Sequence, residues 1–221
     1  LAEDTVVIAG EISWGLDISE SLADFAFFDS LPGTKLLLKG NHDLWFSTKT
    51  KVEKFFAENG FSTLKILFNN AYEYGDYAIC GTRGWMNDQA AKKELLRGVF
   101  FAGGSVTDPA KRYHLELATS HLQVSRELEV LLRECGRLRL SLEAGKKLGK
   151  PPVVFLHYPP IYGGGECCEI LEVLHEYNVK QVYYGHIHGY SSGYAINGER
   201  VGIDFRLISC DYIQFNPMKI G

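Results

Sequence analysis

Residues 35–43 read Lys35-Leu36-Leu37-Leu38-Lys39-Gly40-Asn41-His42-Asp43, a short apolar run followed at once by four residues suited to a turn and to a cation. A run of this length, rich in leucine, predicts a sheet strand covered on both faces. Gly40 and Asn41 tolerate the left-handed dihedrals of a tight turn. A turn alone does not explain why an imidazole and a carboxylate should follow a buried strand. The pattern recurs along the chain. TVVIA (5–9) is followed by Gly10 and Glu11, VVFLH (153–157) ends in a histidine before Tyr158-Pro159-Pro160, and QVYY (181–184) leads into Gly185-His186-Ile187-His188-Gly189. In open α/β sheets ligands collect at the carboxyl ends of strands. Four such ends carrying Glu, Asn and His predict a nitrogen and oxygen cage at one rim.

Two further runs, YAIC (77–80) and FRLIS (205–209), complete a set of six predicted strands. Amphipathic stretches lie between them. Residues 19–30, with Leu22, Phe25, Ala26 and Phe28 at helical spacing, residues 48–58, 88–97 and 166–177 predict helices. Residues 108–148 predict a long one, capped by Asp108 with Pro109 at its first position. Leu128, Leu131, Leu132, Leu138 and Leu142 are its predicted sheet-facing side, and Gly136 a possible break. Without repeat, low-complexity stretch or linker, residues 1–221 predict one α/β domain.

Of the 221 residues 46% are hydrophobic and 23% charged, which excludes a disordered chain. The net charge of −4 and pI near 6.0 argue against broad nucleic-acid binding, and no apolar run reaches the length needed to span a bilayer. The five cysteines, Cys80, Cys135, Cys167, Cys168 and Cys210, form no metal-binding CxxC pattern and predict reduced thiols and a cytoplasmic location.

Of the seven histidines, His114, His121 and His175 fall in predicted helices without partners and are read as structural. His186 and His188 differ. Two apart on an extended segment, both imidazoles face the same way. The flanking glycines suit a backbone that comes close to a bound group. Arg83, in the turn Gly81-Thr82-Arg83-Gly84-Trp85, can fork onto a phosphate or make a surface ion pair. Trp14, Trp45 and Trp85 are expected in the core, with cleft walls as their alternative. The triple glycine 163–165 predicts a turn, or a loop that closes over substrate.

Taken in order, VVIAGEISWG, LPGTKLLLKGNHDLWF, ICGTRGW, LRLSLEAGKKLGK, VVFLHYPP and VYYGHIHG resemble the calcineurin-like metallophosphoesterases, most closely their bacterial phosphohydrolase branch. The resemblance runs from Thr5 to Gly189. It implies a layered α/β/β/α sandwich of two mixed sheets, and a hydrolase of phosphomonoesters or phosphodiesters using metal-activated water. By position it implies that Asn41, His157 and His186 hold one ion, that His188 belongs to another, and that Glu11 bridges them. His42 would protonate the leaving oxygen, and Arg83 would bind the substrate phosphate. Imidazole with carboxylate suits Mn, Fe, Zn or Ni better than Ca or Mg. Two such ions can bridge a hydroxide and clamp phosphoryl oxygens.

The chain departs from the family in two places. No Asp-x-His, the family's opening ligand pair, occurs in it, so the first strand is expected to be missing and the domain N-terminally incomplete. Glu11 stands where the family has aspartate, and Trp14 where many relatives have a second acid. Three alternatives stay open: a fragment of an active two-metal enzyme, a single-metal hydrolase of reduced rate, and an inactive scaffold that holds a protein partner.

Overall fold

The computed structural model describes residues 4–84, 104–106, 115–117 and 122–220, with the backbone alone for 104–106, 115–117 and 122–128. Consecutive leucines in it serve different cores. Leu36 and Leu38 pack with Leu67, Ile79, Val153, Phe155 and Tyr183, while Leu37 between them packs with Phe25, Val52, Phe56, Leu64 and Ile66. Side chains alternate faces along a strand, so a strand buried on both sides divides its residues between two cores.

Thr5–Ile8 (β1), Thr34–Leu37 (β2) and Leu64–Ile66 (β3) form a parallel sheet in that order. Ala71–Tyr74 (β4), Tyr77–Thr82 (β5), Pro152–Leu156 (β8), Gln181–Tyr184 (β11), Gly198–Arg200 (β12) and Ile203–Leu207 (β13) form a mixed sheet ordered β12-β13-β11-β8-β5-β4. Its four inner strands are parallel and its two edges antiparallel. Gly104–Val106 (β6) pairs with Leu115–Leu117 (β7), and Ile161–Tyr162 (β9) with Gly165–Glu166 (β10). All six strands predicted from the sequence are present; β3, β4, β12 and the four short hairpin strands are additional.

The helices cover the outer faces. Leu22–Ser30 (α1) and Lys49–Glu58 (α2) lie on the small sheet through Phe25, Val52 and Phe56. Leu122–Lys146 (α3) and Cys168–Glu176 (α4) lie on the large one through Leu131, Leu138, Leu142, Ile170, Val173 and Leu174. The remaining cluster, drawn from both sheets, is the layer between them. The order is therefore helices, sheet, sheet, helices. Thr48 caps α2 by accepting the Lys51 N–H.

Several expectations change. The long helix begins at Leu122, and Leu115–Leu117, expected to be helical, are a strand. Gly136 does not break α3: glycine costs about 1 kcal/mol in a helix, which the buried Leu131, Leu138 and Leu142 on either side outweigh. Leu132 faces away from the sheet, 52% exposed. Residues 88–97, Asp108, Pro109, His114, His121 and Trp85, and the side chain of Leu128, lie outside the described residues. Gly163 and Gly164 have φ of 57° and 84° and form the two-residue turn of the β9–β10 hairpin. None of the five cysteines forms a disulfide, and burial pushes Cys80 and Cys167 up to about 12 and Cys135 up to about 11, so none of these three is a thiolate at neutral pH. Among the described residues no helix is long and apolar enough to cross a membrane.

Candidate active site

His157 follows β8 with the parity of Val153 and Phe155, whose side chains lie between the sheets. Its ring accordingly enters the inter-sheet layer and is fully buried. There Nδ1 lies 2.8 Å from the carbonyl oxygen of Ala9, at the end of β1. A carbonyl only accepts, so Nδ1 carries the proton and Nε2 keeps its lone pair. Nε2 faces Asn41 Oδ1 at 2.6 Å and Glu11 Oε1 at 3.3 Å. Burial, above all, pushes the His157 pKa down to about 4; the Ala9 bond opposes this, and His186, Arg83 and His188 add to it. At neutral pH, three lone-pair donors from three strand ends thus converge with no proton to share between Nε2 and the carboxylate. This donor set fits a divalent cation of the imidazole- and carboxylate-binding kind.

In the metal-free protein the lowered pKa has a pH consequence. The unfolded chain takes up a proton at His157 near 6.5 and the folded one only near 4. Between these values the unfolded state binds more protons, so stability falls as pH falls through that window, by up to about 3 kcal/mol. Below about pH 4 this group costs nothing further. Urea midpoints in chelator between pH 7.5 and 4.5 should show the slope, and His157→Gln should flatten it. Equal slopes in the two proteins would refute the assignment.

The glycines allow this approach. A Cβ at Gly40 would stand 2.7 Å from Glu11 N and 2.8 Å from Glu11 Oε1, and one at Gly10, whose φ is 104°, would collide with the His157 ring. Backbone strain accompanies the site. Glu11 and His186 are non-glycine residues with φ of 60° and 67°, in the left-handed region that costs of order 1 kcal/mol or more.

Asp43 holds the two loops together, a role the sequence did not disclose. Its buried carboxylate accepts from Glu11 N at 2.9 Å, Ile12 N at 2.7 Å, Ser13 N at 3.2 Å, Gly40 N at 2.7 Å and Trp45 Nε1 at 3.0 Å. The only sequence signal was a carboxylate directly after a buried strand. His42 is exposed; its N–H donates to Glu11 Oε1 at 3.2 Å, and its ring lies 5.0 Å from that of Trp14. Trp14, expected in the core, is 76% exposed beside His42, because the loop after β1 turns outward there. Trp45 is buried, as its Asp43 bond requires.

His186 packs its ring 5.0 Å from His157 and 4.4 Å from Tyr158. His188 lies further out, 48% exposed, with Nδ1 2.8 Å from Asp211 Oδ1; Asp211 Oδ2 accepts the Gly189 N–H at 2.7 Å. Asp211 and the exposed Cys210 bring ligand atoms within 4.8 Å of one another and of His188. Asp211 leaves Nε2 of His188 uncommitted by that bond, the arrangement by which carboxylates orient metal-binding imidazoles. These two residues follow β13 and were missed because no local pattern links them to His188. Arg83 follows β5; its carbonyl accepts from His157 N and Tyr158 N, and its guanidinium meets Glu134 at 3.4 Å. His175 is exposed on α4, away from these loops in sequence and fold.

A family model described as calcineurin-like phosphoesterase matches residues 1–190. Short similarities also occur to probable cell division proteins WhiA. That of Thermoanaerobacter sp. (strain X514) is 43% identical over 47 residues, 21% of this chain and 15% of that protein. That of Clostridium novyi (strain NT) is 37% identical over 61 residues, 28% and 19% of the two chains, and that of Carboxydothermus hydrogenoformans 28% over 110 residues, 45% and 34%. The match spans about a seventh of the length of the first of these relatives. No solved structure matches the chain.

Proposed function

The chain belongs to the calcineurin-like phosphoesterase family, and on that premise we propose that it hydrolyses phosphomonoesters or phosphodiesters at the strand ends that carry Glu11, Asn41, His157, His186 and His188. The observation that carries this reading is the convergence of His157 Nε2, Asn41 Oδ1 and Glu11 Oε1. A divalent transition metal, Mn, Fe, Zn or Ni, bound there supplies Lewis-acid polarisation of a phosphoryl oxygen and an acidified water.

The remaining work falls to the chain. His157, locked by Ala9 and neutral at physiological pH, offers a fixed lone pair rather than a competing proton. Asp43 fixes the Glu11 and Gly40 loops in mutual register. Arg83 supplies a guanidinium for a phosphate group carried by the substrate. His42, exposed at the lip and held by its backbone bond to Glu11, donates the proton that the leaving oxygen needs. Trp14 beside it walls the leaving-group side.

The test is turnover of p-nitrophenyl phosphate and bis-p-nitrophenyl phosphate with added Mn, together with metal analysis. His42→Ala should lower kcat by about 10²–10⁴-fold, the usual contribution of general acid catalysis, for esters with a poorly departing alcohol. His186→Ala should abolish metal retention, and His175→Ala should leave it intact. An unchanged rate in His42→Ala sinks the acid role; equal metal content in the two other variants sinks the metal site.

A further inference from the structure

On the same rim, toward β3 and β5, the chain gathers three cations. Lys39 follows β2, Arg83 follows β5, and Arg137 projects from α3. Both arginines meet one oxygen of the wholly buried Glu134, Arg83 Nη2 at 3.4 Å and Arg137 Nη1 at 2.6 Å. Thr82 donates to the other oxygen at 3.0 Å. Lys39 Nζ donates to the Phe46 carbonyl at 3.2 Å and stands 5.1 Å from that ring, while Arg137 lies 4.9 Å over Phe68; the two rings are 5.3 Å apart. Lys39 and Arg137 are thereby pinned on one aromatic wall, and Arg83 is tied to Arg137 through Glu134.

One carboxylate, Glu134, is shared by the two arginines. Glu134 and Asp43 are fully buried with both oxygens of each engaged. Arg83 Nε is buried and has no acceptor among the described residues. A buried donor left without an acceptor calls for one.

We propose that Lys39, Arg83 and Arg137 form a subsite for a second phosphate group carried by the substrate, so that the natural ester bears a phosphate besides the one hydrolysed. This rests on the hydrolase reading above. Three cationic donors from separate elements suit a tetrahedral dianion, whereas one guanidinium fork suffices for a planar carboxylate. β5 neighbours β8 in the large sheet, and neighbouring strands lie about 4.8 Å apart. The subsite therefore sits one or two strand spacings from His157, within reach of a phosphate several bonds from the scissile phosphorus.

The experiment has two arms. Metal-free protein is titrated calorimetrically with inorganic pyrophosphate, comparing wild type with the Lys39→Gln/Arg137→Gln double variant and with Lys39→Gln alone, folding being checked by circular dichroism. The double variant should bind at least tenfold more weakly and the single variant should fall between; should the double variant not fold, the single one decides. In the second arm, kcat/KM is measured with Mn for α,ω-alkanediol bisphosphates of three to six carbons and for the matching monophosphates. Wild type should favour one bisphosphate at least tenfold, and the variants should lose that preference while keeping the monophosphate rate within twofold. No pyrophosphate binding by wild type, or equal binding by all three proteins, overturns the subsite. Binding without any preference for bisphosphates shows a site for free phosphate alone and overturns the substrate claim. If neither ester class is hydrolysed, the hydrolase reading fails, and with it the substrate claim, whatever the titration shows.

Discussion

Asp43→Ala is expected to cost about 4 kcal/mol of folding stability and to lower the melting temperature by roughly 10 °C. The carboxylate it removes is fully buried and accepts five N–H groups, four from the backbone and one from the Trp45 indole. Each donor left buried and unpaired costs about 1–3 kcal/mol, and the sum is reduced by whatever water enters the gap. Asp76→Ala, at an exposed turn, should change stability by less than about 0.5 kcal/mol. The effect reaches the site as well. Glu11 sits at a φ of 60° that its Asp43 bond helps to hold, so the freed loop should relax and the carboxylate should drift from His157. Urea midpoints of the two variants check the first claim. A loss under about 1 kcal/mol would mean that the loops are held by something other than Asp43.

Gly40→Ala should weaken metal binding by about a hundredfold, the scale on which a displacement of about 1 Å penalises a positioned site. The glycine is required for space rather than for its dihedral angles. A Cβ there would lie 2.7 Å from Glu11 N, 2.8 Å from Glu11 Oε1 and 3.1 Å from His157 Cε1, so the Glu11 loop must withdraw. Gly60→Ala is the matched control. It has a φ of 74° but open space around it, and should cost about 1 kcal/mol of stability without touching metal affinity. Competition with a chromogenic chelator measures both. Retention of wild-type affinity by Gly40→Ala would remove the close approach of the Gly40 and Glu11 loops from the account of the site.

The strands were legible because burial on two faces leaves a local mark. Leu36–Leu38 and Val153–Leu156 are unbroken apolar runs, and they fall at the end of β2 and on β8. Leu115–Leu117 misled because a three-residue strand inside a helix-prone stretch carries too few residues to show its own period. Trp14 misled because an indole's size favours burial on average, while its position depends on where the loop after β1 turns. Gly136 misled because helix propensity is weaker than the packing of Leu131, Leu138 and Leu142.

The amino-acid order by itself determined which strand ends carry Glu11, Asn41, His157, His186 and His188, since ligand types and their strands are both local properties. Only the folded chain decided that Glu11 and Asn41 meet one nitrogen of His157, that Asp43 gathers five donors, that Asp211 reaches His188, and that Arg83 and Arg137 share Glu134. These contacts join residues 20 to well over 100 positions apart in most cases. Their partners are chosen by sheet order and by the crossover of strands, which no periodicity within a single segment encodes.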